Sequence, residues 1–246
     1  MTILFIFPHP DDETIFAGGI IARHVASGDK AVWLCASFGE RSGESSRRSA
    51  RSFYFAYLLF GYFPFLIPIQ NLIIWWLSIF RKPNEALLEI RKSEAEKVAR
   101  IYGISKLHFL EIEDMKFGKN IAKIESEIKK YIEFYRPQLI YTFHPNGITD
   151  HPDHRYLAKS VIKVVKSLSA DKKPKVLGAT ILLEIVKKYK LPLIGTDIKE
   201  ISKEIELTES EMNKKLQAIN AYKSQKYLWK IFLQKYPKLL EKEYFV

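Results

Sequence analysis

Two short clusters of histidine and acidic residues constrain this chain more than any other feature. The first, residues 9–13 (His-Pro-Asp-Asp-Glu), follows the apolar run 3–7, and the second, residues 151–154 (His-Pro-Asp-His), comes soon after the apolar run 139–143. A helical pattern of apolar residues follows each cluster. Because α/β folds place their chemistry where a strand ends and a helix begins, we expect the two clusters to meet and form one metal site.

Apolar runs and helical patterns alternate along the chain. Strands are predicted at residues 2–7, 30–36, 106–110, 139–143 and 176–185, with a further candidate at 196–201. Helices are predicted at residues 14–27, 84–102, 121–135, 152–168 and 208–222. This alternation predicts a Rossmann-like, three-layer α/β fold with a mostly parallel sheet covered on both faces. We expect a single domain over residues 1–246, since the sequence contains no internal repeat and no low-complexity linker.

The amino-acid composition limits the binding partners and the cellular compartment that we expect for this chain. The formal net charge of +11 permits nucleic acid, an anionic membrane or an acidic substrate. Nucleic acid is not predicted, because no recognised binding motif or interleaving of basic and aromatic residues accompanies the charge. The single cysteine, Cys35, excludes an internal disulfide and a multi-cysteine zinc site, and its apolar surroundings predict a buried thiol. The first apolar run is too short for a signal peptide, so we expect a cytoplasmic enzyme.

The residue types in the two clusters are those that zinc hydrolysis requires. A hydrolytic zinc takes three nitrogen or oxygen ligands and keeps one position for water, whose pKa falls to about 7. A second carboxylate can act as general base, and a further histidine can stabilise the oxyanion or protonate the leaving nitrogen. The simpler alternative is that residues 11–13 only cap a helix and residues 151–154 form a polar loop. The two clusters supply all the groups required: His9, Asp11, Asp12, His151, Asp153 and His154.

Together the two clusters resemble the LmbE-like (PIG-L) family of zinc-dependent N-acetylglucosaminide deacetylases, over most of the chain. Shorter stretches are similar to further patterns of that family. These are Gly39-Glu40-Arg41 after the second strand, the Arg-x-x-Glu helix start Arg91-Lys92-Ser93-Glu94, Asp114 after the third strand, and the tail Ala221-Tyr222-Lys223-Ser224-Gln225.

The resemblance implies a function for each candidate residue. Zinc, or another divalent metal, would be held by His9, Asp12 and His154. Asp11 would act as general base, and His151, oriented by Asp153, would stabilise or protonate the tetrahedral intermediate. Arg91 and Asp114 would contact sugar hydroxyls or a substrate anion, with structural salt bridges as an equal alternative. The implied reaction removes the N-acetyl group from an N-acetylglucosaminyl compound; the alternative is a catalytically idle, membrane-associated protein that binds a sugar lipid.

The apolar segment 53–80 departs from the family pattern. Residues 52–80 contain no charged side chain. A charge-free run of this length is long enough to span a bilayer. A single crossing would separate His9 from His154, and Pro64 and Pro68 break the segment into two short arms. Basic residues on both flanks favour a hairpin on an anionic membrane surface, suited to a glycolipid substrate and a peripheral location. A lid or a contact between subunits of a homo-oligomer is the alternative.

Overall fold

The structure is a computed structural model that describes residues 1–42, 82–191, 193–226 and 236–246. The apolar segment predicted as an insertion, residues 53–80, lies outside these ranges. Within them, no helix combines the length and the apolar character that crossing a membrane would require.

Seven strands of the described chain form one sheet. They are β1 (Thr2–Phe7), β2 (Lys30–Cys35), β3 (Lys106–Phe109), β4 (Leu139–Phe143), β5 (Lys175–Thr180), β6 (Lys203–Glu206) and β7 (Lys242–Phe245). Their order is β3-β2-β1-β4-β5-β7-β6. Strands β1 to β5 pair in parallel, and β7 runs antiparallel between β5 and β6. The predicted α/β class with a mostly parallel sheet is confirmed.

Six described α-helices connect these strands. They are α1 (Asp12–Ala26), α2 (Glu85–Tyr102), α3 (Ile121–Tyr135), α4 (Pro152–Ser167), α5 (Leu183–Tyr189) and α6 (Glu209–Ala221). Their ends follow the local sequence. Gly103, at φ 81°, ends α2 in the left-handed conformation that glycine adopts without strain. Thr208 and Glu211 form a capping box at the start of α6.

The two faces of the sheet carry separate hydrophobic cores. Side chains alternate along β1, so Ile3, Phe5 and Phe7 pack with α1, α2 and α6, whereas Leu4 and Ile6 pack with α3 and α4. All five are fully buried. Burial on both faces is the reason that β1, β2 and β4 are nearly continuous apolar runs in the sequence.

Several strand predictions were wrong in their details. The strand predicted over residues 176–185 ends at Thr180, and α5 begins at Leu183, because a short apolar run does not by itself distinguish strand from helix. At 196–201, Thr196 forms an isolated bridge with Leu182, and a 3₁₀-helix follows over Ile198–Glu200. The short, charged strands β6 and β7 were not predicted.

Candidate metal centre and active site

The two predicted clusters meet at the carboxyl edge of the sheet. The chain leaves β1 at Phe7 and β4 at Phe143, and these strands are neighbours. The ring centroids of His9 and His151 are 4.9 Å apart, and those of His9 and His154 are 5.4 Å apart. In the sheet, β2 lies on one side of β1 and β4 lies on the other. The strand order therefore reverses between β1 and β4, and open α/β sheets bind ligands at such a switch point.

Asp12 connects the two histidines that were predicted to bind metal with it. Its Oδ2 lies 3.2 Å from Nδ1 of His9 and 3.3 Å from Nε2 of His154. Ligands of a tetrahedral zinc with bonds of about 2.0–2.1 Å are themselves roughly 3.3 Å apart. All three residues are buried. The contacts of Asp12 with each of the two histidines are therefore at separations that a shared divalent metal would allow.

His151 offers a second possible ligand set. One nitrogen from each of His9, His151 and His154 lies within 4.8 Å of the others. However, Nδ1 of His151 accepts a hydrogen bond from the backbone N–H of Asp153 at the start of α4. A third possible set is His9, Asp114 and Asp153, whose ligand atoms also lie within 4.8 Å of one another. Asp12 contacts both His9 and His154, so the predicted set His9, Asp12 and His154 stays a prediction.

The loop before α4 sets the orientation of His154. Its Nδ1 lies 3.1 Å from the carbonyl oxygen of Gly147 and 3.1 Å from Oγ1 of Thr149. A carbonyl oxygen only accepts, so Nδ1 carries a proton, and Nε2 is the nitrogen that faces Asp12. Ile148 and Asp150 in this loop have φ of 55° and 58°. Such backbone strain is concentrated at functional sites and persists where surrounding contacts impose it.

Asp11, the predicted general base, directly precedes Asp12, the predicted metal ligand. It caps α1 with its carbonyl oxygen and has φ 100°, a strained conformation for a residue with a side chain. Its backbone N–H donates to Oε2 of Glu13, which is fully buried. The hydroxyls of Thr14 and Tyr222 donate to Oε1 of Glu13, and burial raises the pKa of Glu13 to about 8.

The structure places Asp153 differently from the role predicted for it. Its backbone N–H contacts His151, but its carboxylate Oδ2 accepts from the N–H of Met115 and lies 3.6 Å from Nε2 of His9. Burial raises the pKa of Asp153. The side chain of Asp153 thus faces His9, while its backbone orients the ring of His151.

Arg91 and Asp114 also have partners within the protein. Arg91 is 2% exposed and donates to the carbonyl oxygens of Pro10 and Phe38 and to the hydroxyl of Ser42. It thereby joins the first cluster to the loop after β2. Asp114 is buried and accepts from the backbone N–H of Arg41. Its other oxygen lies 3.2 Å from Nε2 of His9.

Charges in the site strongly perturb one another. Burial disfavours a charged His9, yet Asp114 and Asp12 raise the pKa of His9 well above its usual value. Burial also disfavours the ionised carboxylates, but the histidines hold the pKa values of Asp12 and Asp114 below their usual range. Burial, together with the charges of His9 and His154, lowers the pKa of His151 well below its usual value. Carboxylates that converge on imidazole nitrogens form an environment that favours a bound cation.

Sequence reasoning quoted several motif residues without finding their roles. Glu40 accepts from the backbone N–H of Asp114 and from the hydroxyl of Ser37, so it joins two loops of the site. Glu94 accepts from the N–H and the hydroxyl of Ser224, and thereby attaches the C-terminal motif to α2. Similarity to the family motifs was the sequence signal that singled out Glu40 and Glu94. It did not reveal their roles, because their contacts join residues that are distant in sequence.

Comparison with known proteins agrees with this site. The family described as PIG-L, GlcNAc-PI de-N-acetylase, matches residues 4–165, which is more than half of the chain and includes both clusters. The chain belongs to this family. A relative from Bacillus cereus, a probable N-acetyl-alpha-D-glucosaminyl L-malate deacetylase 2, is 23% identical to this PIG-L family chain over 225 residues, covering 91% of this chain and 83% of the relative.

Solved structures support the fold of this PIG-L family member. The N,N'-diacetylchitobiose deacetylase from Pyrococcus horikoshii matches with a TM-score of 0.62 and 19% identity, covering 100% of this chain and 82% of that one. The 4-carboxy-2-hydroxymuconate hydratase from Pseudomonas putida matches with a TM-score of 0.61 and 17% identity, covering 99% and 93%. Because a deacetylase and a hydratase share the fold, function must be inferred from the site.

Proposed function

We propose that this protein is a metal-dependent amide hydrolase that removes the N-acetyl group from an N-acetylglucosaminyl compound, giving acetate and a free amine. The observation that carries the proposal is the contact of Asp12 Oδ2 with one nitrogen each of His9 and His154, at 3.2 and 3.3 Å, directly beside Asp11. Family membership and the acetyl-sugar relatives point to the same reaction.

His9, Asp12 and His154 would hold the metal, which we propose to be zinc, although this donor set also accepts other divalent ions. When bound, the metal supplies a Lewis acid for the acetyl carbonyl and lowers the pKa of water. Other groups of the chain orient the side chains that would hold the metal. The carbonyl oxygen of Gly147 fixes the ring of His154, and the backbone N–H of His9 donates to Oδ2 of Asp12.

Asp11 is placed to take the proton from the attacking water. The strained backbone of Asp11 is held through its N–H by Glu13, and Arg91 lies 3.7 Å from its carboxylate. The positive guanidinium favours the ionised carboxylate that a general base requires. The proton taken up by Asp11 is then available to the leaving nitrogen.

His151 is placed to stabilise the oxyanion of the tetrahedral intermediate. Nδ1 of this neutral ring accepts from the N–H of Asp153, so its proton is on Nε2. An Nε2–H donor beside the metal ligands can hydrogen-bond to oxygen as negative charge develops there. Asp153 contributes to this role through its backbone.

A lipid-linked aglycone is the finer part of the proposal. Residues 53–80 carry no charge, and basic residues flank them on both sides. The described chain before and after this segment borders the site: the N–H of Asn84 donates to the carbonyl oxygen of Glu40, and Arg91 donates to Ser42. The described residues on either side, Ser42 and Asn84, therefore lie beside the candidate active site. An interfacial anchor formed by residues 53–80 would bring a glycolipid to the metal.

Acetate release by the zinc-loaded protein tests the reaction. The matched substrates are N-acetylglucosamine, its β-linked dimer, and an N-acetylglucosaminyl lipid in vesicles. We expect release from at least one of them, and a kcat about 10²–10⁴-fold lower for Asp11→Asn with its metal content unchanged. The matched control Asp29→Asn changes a carboxylate at the opposite end of the sheet and should leave kcat unchanged. Absence of release from all three compounds, or full activity in Asp11→Asn, would overturn the proposal.

Flotation with vesicles tests the lipid-linked part separately. Wild-type protein is expected to float with vesicles that contain anionic lipid and to prefer the lipid substrate. A variant with residues 53–80 replaced by a short polar loop should lose both properties while keeping its activity on soluble sugars. Protein that stays at the bottom of the gradient in both forms contradicts the anchor.

A further inference from the structure

Glu13 is a fully buried acidic residue at the end of the first cluster, and no role has been assigned to the hydroxyls that contact it. Its Oε2 accepts from the backbone N–H of Asp11 at 3.1 Å. Its Oε1 accepts from the hydroxyls of Thr14 and Tyr222 at 2.5 and 2.7 Å. The two oxygens of Glu13 therefore connect the backbone of the proposed general base with two hydroxyl groups.

The two hydroxyls belong to very different parts of the chain. Thr14 is next to Glu13 in α1, so its hydroxyl can fix the glutamate only locally. Tyr222 follows α6, 209 residues further along the chain, and is 1% exposed. It belongs to the same hydrophobic core as Phe7, and its backbone N–H donates to the carbonyl oxygen of Ile219. The hydroxyl of Tyr222 is therefore the contact that fixes Glu13 relative to the rest of the fold.

The backbone of Asp11 requires a restraint of this kind. At φ 100° it lies outside the regions that a residue with a side chain normally occupies. Such strain persists only where surrounding contacts impose it. The hydrogen bond from the N–H of Asp11 to Glu13 is one of these contacts, so the direction of the Asp11 carboxylate depends on where Glu13 is held.

The segment after α6 also reaches a second helix that contacts Asp11. Ser224 donates through its N–H and its hydroxyl to Glu94 of α2. Arg91, one turn earlier in α2, lies 3.7 Å from the carboxylate of Asp11. Residues 222–224 thus contact both α1 and α2, the two helices whose side chains contact Asp11.

We propose that Tyr222 is a positioning residue for the general base: its hydroxyl holds Glu13, and Glu13 holds the backbone of Asp11 in the orientation that the reaction requires. The inference rests on the proposed function, because it takes Asp11 as the base. In this role Tyr222 contacts neither the metal nor the substrate. Loss of its hydroxyl should therefore reduce turnover and leave the binding of zinc and substrate unchanged.

The variant Tyr222→Phe removes only the hydroxyl. In the zinc-loaded protein we expect kcat for acetate release to be about 10-fold lower, with unchanged KM and zinc content, because one hydrogen bond is lost and the base is displaced. The matched control is Tyr141→Phe, which removes a fully buried hydroxyl that contacts His24 at 3.1 Å near the opposite end of the sheet. It should lose stability but keep its kcat, so the pair separates positioning from general destabilisation.

The variant Asp11→Asn shows whether Tyr222 acts through Asp11. If it does, adding Tyr222→Phe to Asp11→Asn should lower the remaining kcat no further, because the base that Tyr222 positions is already absent. The inference is overturned by an unchanged kcat in Tyr222→Phe alone, or by an equal loss in both backgrounds. A raised KM with an unchanged kcat would also overturn it, because Tyr222 would then act in substrate binding.

Amide hydrogen exchange gives a readout that does not depend on acetate. The N–H of Asp11 should exchange faster in Tyr222→Phe than in the wild type, and at the wild-type rate in Tyr141→Phe. Equal rates in Tyr222→Phe and the wild type would refute the inference. If the wild type binds zinc but releases no acetate, the proposed function fails, whereas exchange at Asp11 still decides whether Tyr222 holds this backbone.

A second variant applies if Tyr222→Phe does not fold. Glu13→Leu removes the acceptor through which Tyr222 would act and fills its place with an apolar side chain. A lowered kcat with zinc retained supports the inference, and a wild-type kcat in Glu13→Leu refutes it.

Discussion

Two clusters that contain histidine and carboxylate lie at opposite ends of the sheet. The metal cluster, at the carboxyl edge, comprises His9, Asp12, Asp114, His151, Asp153 and His154. The amino-end cluster comprises His24, Asp29, Tyr141 and Lys203. In the latter, His24 contacts Asp29 through Nδ1 at 2.8 Å and the hydroxyl of Tyr141 through Nε2 at 3.1 Å. Both ring nitrogens of His24 are thus paired within the protein.

The two clusters differ in whether their polar atoms are paired within the protein, and this difference separates a structural cluster from a candidate functional site. One histidine and one carboxylate satisfy each other at the amino end, and the adjacent turn obtains its positive φ from Gly28. The metal cluster has three histidines and three carboxylates, and it leaves Nε2 of His9 and Oδ1 of Asp114 without hydrogen bonds within the described chain. Its loops also contain the strained non-glycine residues Asp11 and Ile148. A surplus of ligand atoms on a strained scaffold indicates a binding site.

Replacing one histidine in each cluster should give the largest contrast. His154→Ala removes a nitrogen ligand, so bound zinc should fall from about one ion per chain to almost none, and acetate release should be lost with it. His24→Ala should keep its zinc and its kcat. It should lower the free energy of unfolding by about 1–3 kcal/mol, because Asp29 and Tyr141 lose a buried partner. Elemental mass spectrometry and denaturant unfolding measure both effects. Zinc retained by His154→Ala, or lost from His24→Ala, would contradict the prediction that zinc binds at the carboxyl-edge cluster and not at the amino end.

Two arginines allow a contrast of intermediate size. Arg91 is buried near the metal cluster and donates to two backbone carbonyl oxygens. Arg23, near the amino-end cluster, has a side chain that is 37% exposed and pairs with Glu211. Arg91→Lys should cost about 1–3 kcal/mol of unfolding free energy, because a lysine cannot reproduce the planar set of donors. It should also lower kcat, since the loop of Asp11 loosens. Arg23→Lys should cost about 0–1 kcal/mol.

Steady-state kinetics on both arginine variants distinguishes a scaffold from a substrate contact. A scaffold role for Arg91 predicts a KM close to that of the wild type. A strongly raised KM with unchanged stability would instead support the contact with sugar or substrate anion that the sequence suggested.

The sequence was most informative where chemistry is local. The meeting of the two histidine and carboxylate motifs could be predicted because each motif is short and lies at a strand-to-helix junction. His24 lies outside both motifs, and it is only 8% exposed because β4 supplies Tyr141 as its partner, 117 residues away. The contact of Asp114 with His9 likewise depends on the ends of two strands, β3 and β1, that β2 separates in the sheet. The spacing of residues in the sequence does not show which distant side chains will contact a given histidine in the folded chain.

The same limit explains the missed strands. In β7, Glu243 is buried because it accepts from the N–H groups of Gly19 and Ile20 in α1 and pairs with buried Lys215. A charged residue in a short segment predicts an exposed loop. The tertiary contacts that reverse this prediction are not visible in the periodicity of the sequence.

The smallest effect we predict concerns the pH dependence of stability at the amino end. Burial lowers the pKa of His24, and this outweighs the opposing effect of Asp29; Lys203 and the N-terminal ammonium lower it further. The unfolded chain therefore binds this proton more readily than the folded protein does. The contribution of His24 to stability should be constant above the unfolded pKa of about 6.5 and should decline as the pH falls below it.

The variant His24→Gln isolates this contribution, because subtracting its unfolding free energy from that of the wild type, both as apoprotein, cancels the titration of the metal cluster. The difference should shrink as the pH is lowered from 8 to 5. Asp29→Asn removes the group that favours the charged ring, so the decline should become steeper in that protein. If the difference grew towards low pH instead, Asp29 would outweigh burial. The amino-end pair would then be an ion pair that stabilises the fold through charge, in contrast to the neutral, hydrogen-bonded pair that the burial of His24 implies.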